Sequence, residues 1–285
     1  MVTGIKLEDG NYGRRAVITS AWSDGMAKYL KEHDVVELEL NHAKGWRGSD
    51  LSFLSELSYL KSFNILELRP SIQNIDPIHF LHELRYLGVT TYCSTEIRFS
   101  EFPKLEDCGL EWGTRKAQSL FDCKSLKKLF VNRYKGKDIE PFTRLTELES
   151  LTIYTAPIVS LQGIEPLHKL RRLSIALFRK LASLAGIQGL TQLEELHIST
   201  CRSFHSIVEV SCLTHLRKLI LANCGDIDSF KPLEKLSNLE EVIFYESTNV
   251  IDGDLLPLMQ LKKLSSVTFQ NRRHYSHRRE EFAAY

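Results

Sequence analysis

The chain has 285 residues, of which 43% are hydrophobic and 26% charged, the balance of an ordinary folded protein. Its 37 basic and 36 acidic residues leave a formal charge of +1, which excludes a global field that would draw the chain to nucleic acid or to an anionic membrane. No apolar run approaches the roughly 20 residues that span a bilayer, and the first residues lack the apolar core of a signal peptide. We therefore expect a cytoplasmic protein without nucleic-acid or membrane partners.

Residues 1–34 are predicted to form an N-terminal cap. Residues 1–15 are polar and rich in glycine, which indicates a loose tail or a partial cover. The segment AVITS from Ala16 has the pattern of a strand, and a helix is predicted to begin at an N-cap at Ser23 and to end near His33. A strand, a helix and a second strand of this length suit a parallel pair that would cover the end of a stack.

One phrase recurs through the centre of the chain. The pattern L-x-x-L-x-[IL] begins at Leu148, Leu170, Leu193 and Leu216, so it returns after 22, 23 and 23 residues. Within each phrase the fourth and sixth residues are apolar, which is the alternation of a short, half-buried strand. One such unit cannot bury its own apolar face, so the pattern predicts stacked repeats.

The same pattern extends in both directions over residues 35–271, where it predicts about eleven strands. The predicted core positions, beginning with the strand at Val35, are Val35, Phe63, Leu84, Leu105, Leu126, Leu148, Leu170, Leu193, Leu216, Leu239 and Leu264. The connecting pieces, such as PFTRLTEL and PLEKLSNL, are too short for long helices and favour helical or 3₁₀ turns.

These residues resemble the leucine-rich repeat family, whose consensus is L-x-x-L-x-L-x-x-[NC]-x-L. The pieces IVSLQGIEPLHKL from Ile158 and LASLAGIQGLTQL from Leu181 are similar to the 22-residue subclass of bacterial internalins and phosphatase-regulating repeat proteins. The resemblance implies an α/β solenoid, an arc or horseshoe with a parallel concave sheet and short turns on the convex side. It also implies a binding scaffold. Only Cys201 and Cys224 occupy the family's Asn or Cys position properly, so we expect a less regular turn elsewhere.

The sequence shows no arrangement that catalysis requires. It contains no phosphate-binding glycine loop, no H-E-x-x-H and no G-x-S-x-G, so we expect no enzyme activity, no cofactor and no small-molecule substrate. His274 and His277 lie in a basic tail or cap, residues 272–285, but two histidines without further ligands do not predict a metal site. Cys201 and Cys224 would lie on adjacent strands about 4.8 Å apart. That spacing would permit a disulfide, although buried reduced thiols are the expectation for a cytoplasmic chain.

What remains is the face of the sheet that lies between the core leucines. Acidic residues gather on its N-terminal strands, where they would steer a basic partner; they are Glu37, Glu39, Glu67, Asp107 and Glu111. Exposed aromatic residues interrupt an otherwise small and polar surface and are typical anchors of protein interfaces. The residues that we predict to contact a protein partner are Tyr86, Glu111, Trp112, Phe130, Tyr154, Arg172, His197 and Tyr245.

The leading functional hypothesis is a non-enzymatic protein-interaction module that binds a protein on its concave face. One alternative is a regulatory subunit of a phosphatase-like enzyme, which the repeat length alone suggests. Another is a bacterial immunity or effector-neutralising protein, in which the acidic N-terminal strands would mask a cationic surface.

Overall fold

The computed structural model describes residues 3–69, 72–112 and 117–284, with the backbone alone for residues 283 and 284. The chain divides into two compact units, unit 1 (residues 1–132) and unit 2 (residues 133–285). Within the described ranges, no helix is both long enough and apolar enough to cross a membrane.

The described part of unit 1 contains one α-helix, α1 (Met26–Glu32), and a sheet whose strands follow one another in chain order. Its described strands are β1 (Ile5–Asp9), β2 (Arg14–Ile18), β3 (Val35–Asn41), β4 (Ser62–Glu67), β5 (Tyr86–Thr91), β6 (Asp107–Glu111) and β7 (Lys128–Asn132). Strands β1 and β2 form an antiparallel hairpin with Ile5 opposite Ile18. Every later pair in unit 1 is parallel, because each repeat crosses over before the next strand begins.

Unit 2 is built from the same kind of repeat. Its described strands are β8 (Ser150–Tyr154), β9 (Arg172–Ala176), β10 (Glu195–Ser199), β11 (Lys218–Ala222), β12 (Asp226–Ile227), β13 (Glu241–Tyr245), β14 (Asn249–Val250) and β15 (Ser266–Thr268). Strands β8, β9, β10, β11, β13 and β15 form a parallel sheet, while β12 and β14 pair separately. A single helical turn, α2 (Leu256–Met259), precedes the last strand.

Short 3₁₀ turns connect most of the strands, as the lengths of the linking segments predict. In unit 1 they are His42–Lys44, Ser52–Glu56, Asp76–Phe80, Phe99–Glu101 and Gln118–Asp122. In unit 2 they are Glu140–Arg144, Ile187–Gly189, Val208–Cys212 and Lys231–Lys235, and a further 3₁₀ turn, Arg279–Ala284, follows the last strand. Proline stands in the first turn of three of them, where its missing N–H is not needed.

The core of each unit consists of the periodic residues. In β8, for example, Leu151 and Ile153 are fully buried, as is Leu148 just before the strand. All eleven predicted strands are present, as β3–β7 in unit 1 and as β8, β9, β10, β11, β13 and β15 in unit 2. The alternation of apolar residues therefore predicted the strands and, in most of them, the side that each residue faces.

Three local predictions were wrong. Strand β1 lies in the segment predicted to be a loose tail or a partial cover, and of these the loose tail is wrong; the alternation of Ile5 and Leu7 with charged residues was the signal of the strand. Helix α1 begins after Gly25, and no side chain caps it, so Ser23 is not the N-cap. In the pairing of β4 with β5, Phe63 lies opposite Leu87, whereas the predicted core positions placed it opposite Leu84. Because of this shift of three residues, Ile65 faces the core.

Aromatic side chains cover the C-terminal end of unit 2. The Phe244 ring stacks on Phe269 with centroids 4.7 Å apart, and it makes an edge-to-face contact with Phe230 with centroids 4.9 Å apart. Beyond β15, the Tyr275 and Phe282 rings each lie 5.8 Å from Phe269. Residues that follow the last strand thus protect the core from water.

Candidate functional site

The open face of each sheet, the side that carries the residues between the core positions, is the candidate site. In unit 2 the strand register arranges these residues in three rows that cross β8, β9, β10, β11 and β13. The first row is Ser150, Arg172, Glu195, Lys218 and Glu241; the second is Thr152, Ser174, His197, Ile220 and Ile243; the third is Tyr154, Ala176, Ser199, Ala222 and Tyr245. The face therefore changes from charged at the strand starts to small and aromatic at the strand ends.

The third row, called the tyrosine row below, has a tyrosine at each end and small residues between them. Tyr154 and Tyr245 are each 37% exposed, whereas Ala176 and Ala222 between them are buried. Four strand steps separate the two tyrosines, which is about 19 Å at roughly 4.8 Å per step. The row therefore presents small side chains between two exposed aromatic side chains.

Arg172 and His197, also predicted as contacts, line a shallow depression of about 280 Å³ on the same face. Arg172 is exposed, while His197 is half-buried. Burial, with a smaller contribution from nearby Lys218, lowers the pKa of His197, so its imidazole is neutral near pH 7. Lys218 itself forms an ion pair with Glu241 across adjacent strands, with Nζ and Oε2 2.5 Å apart.

The predicted contacts of unit 1 differ in exposure. Phe130 on β7 is 37% exposed on the open face. Trp112, predicted as an exposed aromatic, is buried, and its ring lies 5.6 Å from that of Phe121. The alternation explains the error, because Trp112 continues the inward-facing series of Cys108 and Leu110. Trp112 is therefore a core residue rather than a surface anchor.

The acidic residues of unit 1 are also less available than their positions predicted. Glu37 is buried and accepts hydrogen bonds from Arg15 (Nη2 to Oε2, 2.9 Å) and from the backbone N–H of Tyr12. Glu39 is buried beside Lys44, with Nζ and Oε1 2.8 Å apart.

The remaining two buried acids are paired as well. Glu67 is fully buried and accepts from Arg69 (Nε to Oε1, 2.8 Å), and this hydrogen bond lowers the pKa of the Glu67 carboxyl. Glu111, a predicted contact, is buried and accepts from Asn132 Nδ2 at 2.8 Å. The expected acidic rim is thus largely neutralised within the chain.

Tyr86 and Asp107 line a polar cavity of about 210 Å³ that the sequence analysis missed. Burial raises the pKa of Tyr86 to about 12 and also raises the pKa of Asp107. Gly88 lets the Asn64 amide and the Tyr86 hydroxyl, which both line the cavity, lie close to the β5 backbone: a Cβ there would lie 2.2 Å from Asn64 Oδ1 and 2.7 Å from the Tyr86 hydroxyl. Glycines at equivalent positions of β5 and β6, Gly88 and Gly109, were the available signal.

Solved structures of other proteins share this architecture. An internalin (InlF) from Listeria monocytogenes is similar over 91% of this chain and 83% of its own, with a TM-score of 0.65 and 19% identity. A second Listeria internalin, InlC2, is similar over 67% of this chain and 83% of its own, with a TM-score of 0.53 and 19% identity. The chain folds as a leucine-rich repeat protein. The internalin-like type predicted from the repeat length is confirmed at the level of the fold.

Plant receptors share the same repeat fold. The Arabidopsis receptor kinase HAESA, solved with the peptide hormone IDA and the co-receptor SERK1, is similar over 85% of this chain and 47% of its own, with a TM-score of 0.57 and 17% identity. No family model matches the chain. No curated protein matches it either. At these identities the likeness establishes the fold of this leucine-rich repeat protein and not its partner.

The cysteines of the repeat turn are buried thiols, as expected. Cys224 Sγ donates to the Ile198 carbonyl at 3.3 Å, and Cys201 Sγ donates to the Ser199 carbonyl at 3.3 Å. Burial raises the pKa of Cys201 to about 11 and that of Cys224 to about 12, so both remain protonated. The two thiols therefore donate to backbone carbonyls at the end of strand β10.

The two C-terminal histidines make hydrogen bonds to different partners within the chain. His274 Nε2 lies 2.9 Å from the Val250 carbonyl, and His277 Nδ1 lies 2.8 Å from the Ser276 hydroxyl. Within the described residues, no group of three His, Cys, Asp or Glu side chains is placed to hold a metal ion.

Proposed function

We propose that this protein is a non-enzymatic interaction module that binds a segment of a protein partner on the open face of unit 2. The observation that carries the proposal is the third row of that face, where two half-exposed tyrosines flank three small residues. Tyrosine is enriched among residues that dominate binding energy, because it supplies a large contact area with few rotatable bonds.

The dimensions of the row define the kind of segment that fits. An extended chain spans about 3.3 Å per residue, so about 19 Å accommodates five or six residues. One aromatic or aliphatic side chain of the partner would pack against each tyrosine, and the partner backbone would lie over Ala176 and Ala222. Arg172 and Glu195, at the other end of the strands, would form the polar rim.

The similar proteins support a binding role without naming a partner. HAESA is solved with a peptide hormone and a co-receptor. The plant receptor RGFR1, whose structure contains RGF2, is similar over 94% of this chain and 40% of its own, with a TM-score of 0.53 and 14% identity. We propose that the repeat fold serves binding in this chain too, and that it does so in the cytoplasm.

The two alternatives are less supported. The immunity or effector-neutralising hypothesis relied on an acidic surface, but Glu37, Glu39 and Glu67 are buried and paired with cations of the same chain. The hypothesis of a phosphatase-like regulatory subunit still depends on the repeat length alone.

The test is recovery of a partner from native cells, followed by its affinity for Tyr154→Ala and Tyr245→Ala. Each substitution is expected to cost about 2 kcal/mol, or roughly 30-fold in Kd, as for interface anchors. Tyr92→Ala is the matched control, because Tyr92 is 57% exposed and lies outside the row. A partner that binds all three variants as tightly as the native protein would refute the proposed site.

A further inference from the structure

A second cavity in unit 2, of about 560 Å³, lies at the loop edge of its sheet. It is formed by the residues that follow successive strands, including Thr155 directly after Tyr154 and Leu177 directly after Ala176. The cavity therefore begins where the tyrosine row ends. Its size is within the range of about 300–1,000 Å³ that ligand sites occupy.

The lining of this cavity is strongly basic. It includes Arg133, Lys135, Arg179 and Lys180, and no acidic residue lines it. Burial is the main cause of the raised pKa of Tyr134, which lies in the cavity wall. Asp138 makes a smaller contribution to this pKa shift but does not line the cavity.

Three of these cations have no partner inside the chain. Among the described residues, the side chains of Lys135, Arg179 and Lys180 form neither a hydrogen bond nor an ion pair, and all three are exposed.

Cations at the strand starts of the same unit behave differently. Four of them are matched by a glutamate of the neighbouring repeat, and the pairs are Lys169 with Glu147, Arg171 with Glu194, Arg217 with Glu240 and Lys218 with Glu241. Cations that converge on one cavity without such glutamates repel one another, and an anion that enters removes this repulsion.

The cavity also has an apolar wall. Leu177 is 38% exposed, and its backbone adopts the left-handed conformation with φ of 61°. Ala156 is buried beside it and also lines the cavity. An exposed leucine next to four cations favours a ligand that carries an apolar side chain between acidic groups.

We propose that this cavity binds an acidic segment of a protein partner, with carboxylate or phosphate groups at Lys135, Arg179 and Lys180 and an apolar side chain on Leu177. The partner's class rests on the proposed function, and the cavity extends the tyrosine row with a charge-selective contact. The arginine guanidinium favours bidentate pairing, whereas the lysines act as point charges.

The test is direct binding of fluorescein-labelled peptides, measured by fluorescence anisotropy at roughly 50 mM and 300 mM NaCl. The probes are Glu-Glu-Leu-Glu-Glu, the same peptide with phosphoserine in place of glutamate, and the neutral Gln-Gln-Leu-Gln-Gln. We expect both acidic peptides to bind more weakly at high salt, and the neutral peptide not to bind. The two acidic peptides separate carboxylate from phosphate as the preferred group.

The deciding variants have the same change in net charge. The triple variant K135E/R179E/K180E is expected to weaken binding of the acidic peptides by about tenfold or more. The matched control is K231E/K235E/K262E, whose target residues are exposed lysines of unit 2 that do not line the cavity. Circular dichroism checks whether charge reversal impairs folding. If it does, the triple alanine variant K135A/R179A/K180A is used instead and is also expected to weaken binding of the acidic peptides.

Three results would overturn the proposal: no binding of either acidic peptide, equal losses in the cavity and control variants, or equally tight binding of an oligothymidylate, which would indicate a nucleic-acid site. The outcome is separate from that of the tyrosine test. Peptide binding that survives Tyr154→Ala and Tyr245→Ala supports the cavity even if the tyrosine row binds no partner.

Discussion

His79 is predicted to make unit 1 sensitive to acid. It lies in the 3₁₀ turn Asp76–Phe80 and is 7% exposed. Its Nε2 accepts the backbone N–H of Arg98 at 3.0 Å, so Nδ1 carries the proton and donates to the Asp76 carbonyl at 2.9 Å. Protonation of Nε2 would remove the acceptor that Arg98 requires.

The direction of the effect follows from the pKa. Burial, assisted by the positive charge of Arg98, lowers the pKa of His79 below its ordinary 6.5. Below pH 6.5, His79 is therefore protonated to a greater extent in the unfolded chain than in the folded chain. Its contribution to stability is fully present above this pH and declines as the pH falls. Asp76 and Glu101 oppose the shift only partly.

The size of the effect has an upper limit. One pH unit corresponds to 1.36 kcal/mol, so a histidine that stays neutral in the folded state would cost about 2 kcal/mol of unfolding free energy at pH 5. A fluorescence assay can follow unit 1 selectively, since the three tryptophans, Trp22, Trp46 and Trp112, all belong to it.

The experiment compares urea unfolding of the native protein and His79→Gln at pH 7.5 and pH 5. Glutamine retains an oxygen that can accept the Arg98 N–H but does not titrate in this range. The native protein should lose more stability than the variant, by up to about 2 kcal/mol. The same loss in both proteins would show that His79 is not the group responsible.

Two further predictions concern the core and the cysteines of unit 2. Phe244→Ala should lower the free energy of unfolding by about 3–5 kcal/mol in urea denaturation followed by circular dichroism, because it removes a fully buried ring that stacks on Phe269. The control Phe80→Ala, at a residue of unit 1 that is 51% exposed, should change it by less than about 0.5 kcal/mol. Iodoacetamide at about pH 8 should modify Cys212 in the folded protein, since it is the one exposed cysteine of the six, all of which lie in the described ranges. Mass spectrometry that finds rapid native-state labelling of Cys224, whose pKa burial raises to about 12, would contradict the buried-thiol assignment.

Much of the fold could be predicted because the relevant information is local. A core leucine such as Leu151 or Leu196 lies two positions before another apolar residue in every repeat, and this alternation alone assigns it to the inside. The turn cysteines were found in the same way, because Cys201 and Cys224 recur at one position of adjacent repeats.

The candidate site was predicted less completely, because its properties depend on residues far apart in the chain. Glu37 looked like part of an acidic surface until folding placed Arg15, 22 residues earlier, against its carboxylate. The basic cavity brings Lys135 and Arg179 together from different repeats, and no local pattern marks that meeting.

The sequence by itself thus determined the repeat period, the strands and the inward side of most strands, since burial of a periodic apolar face leaves few other arrangements. Tertiary structure alone decided which charges are neutralised and which face a cavity. Pairing depends on distances of a few ångströms between side chains of different repeats, and those distances exist only once the strands are aligned in register.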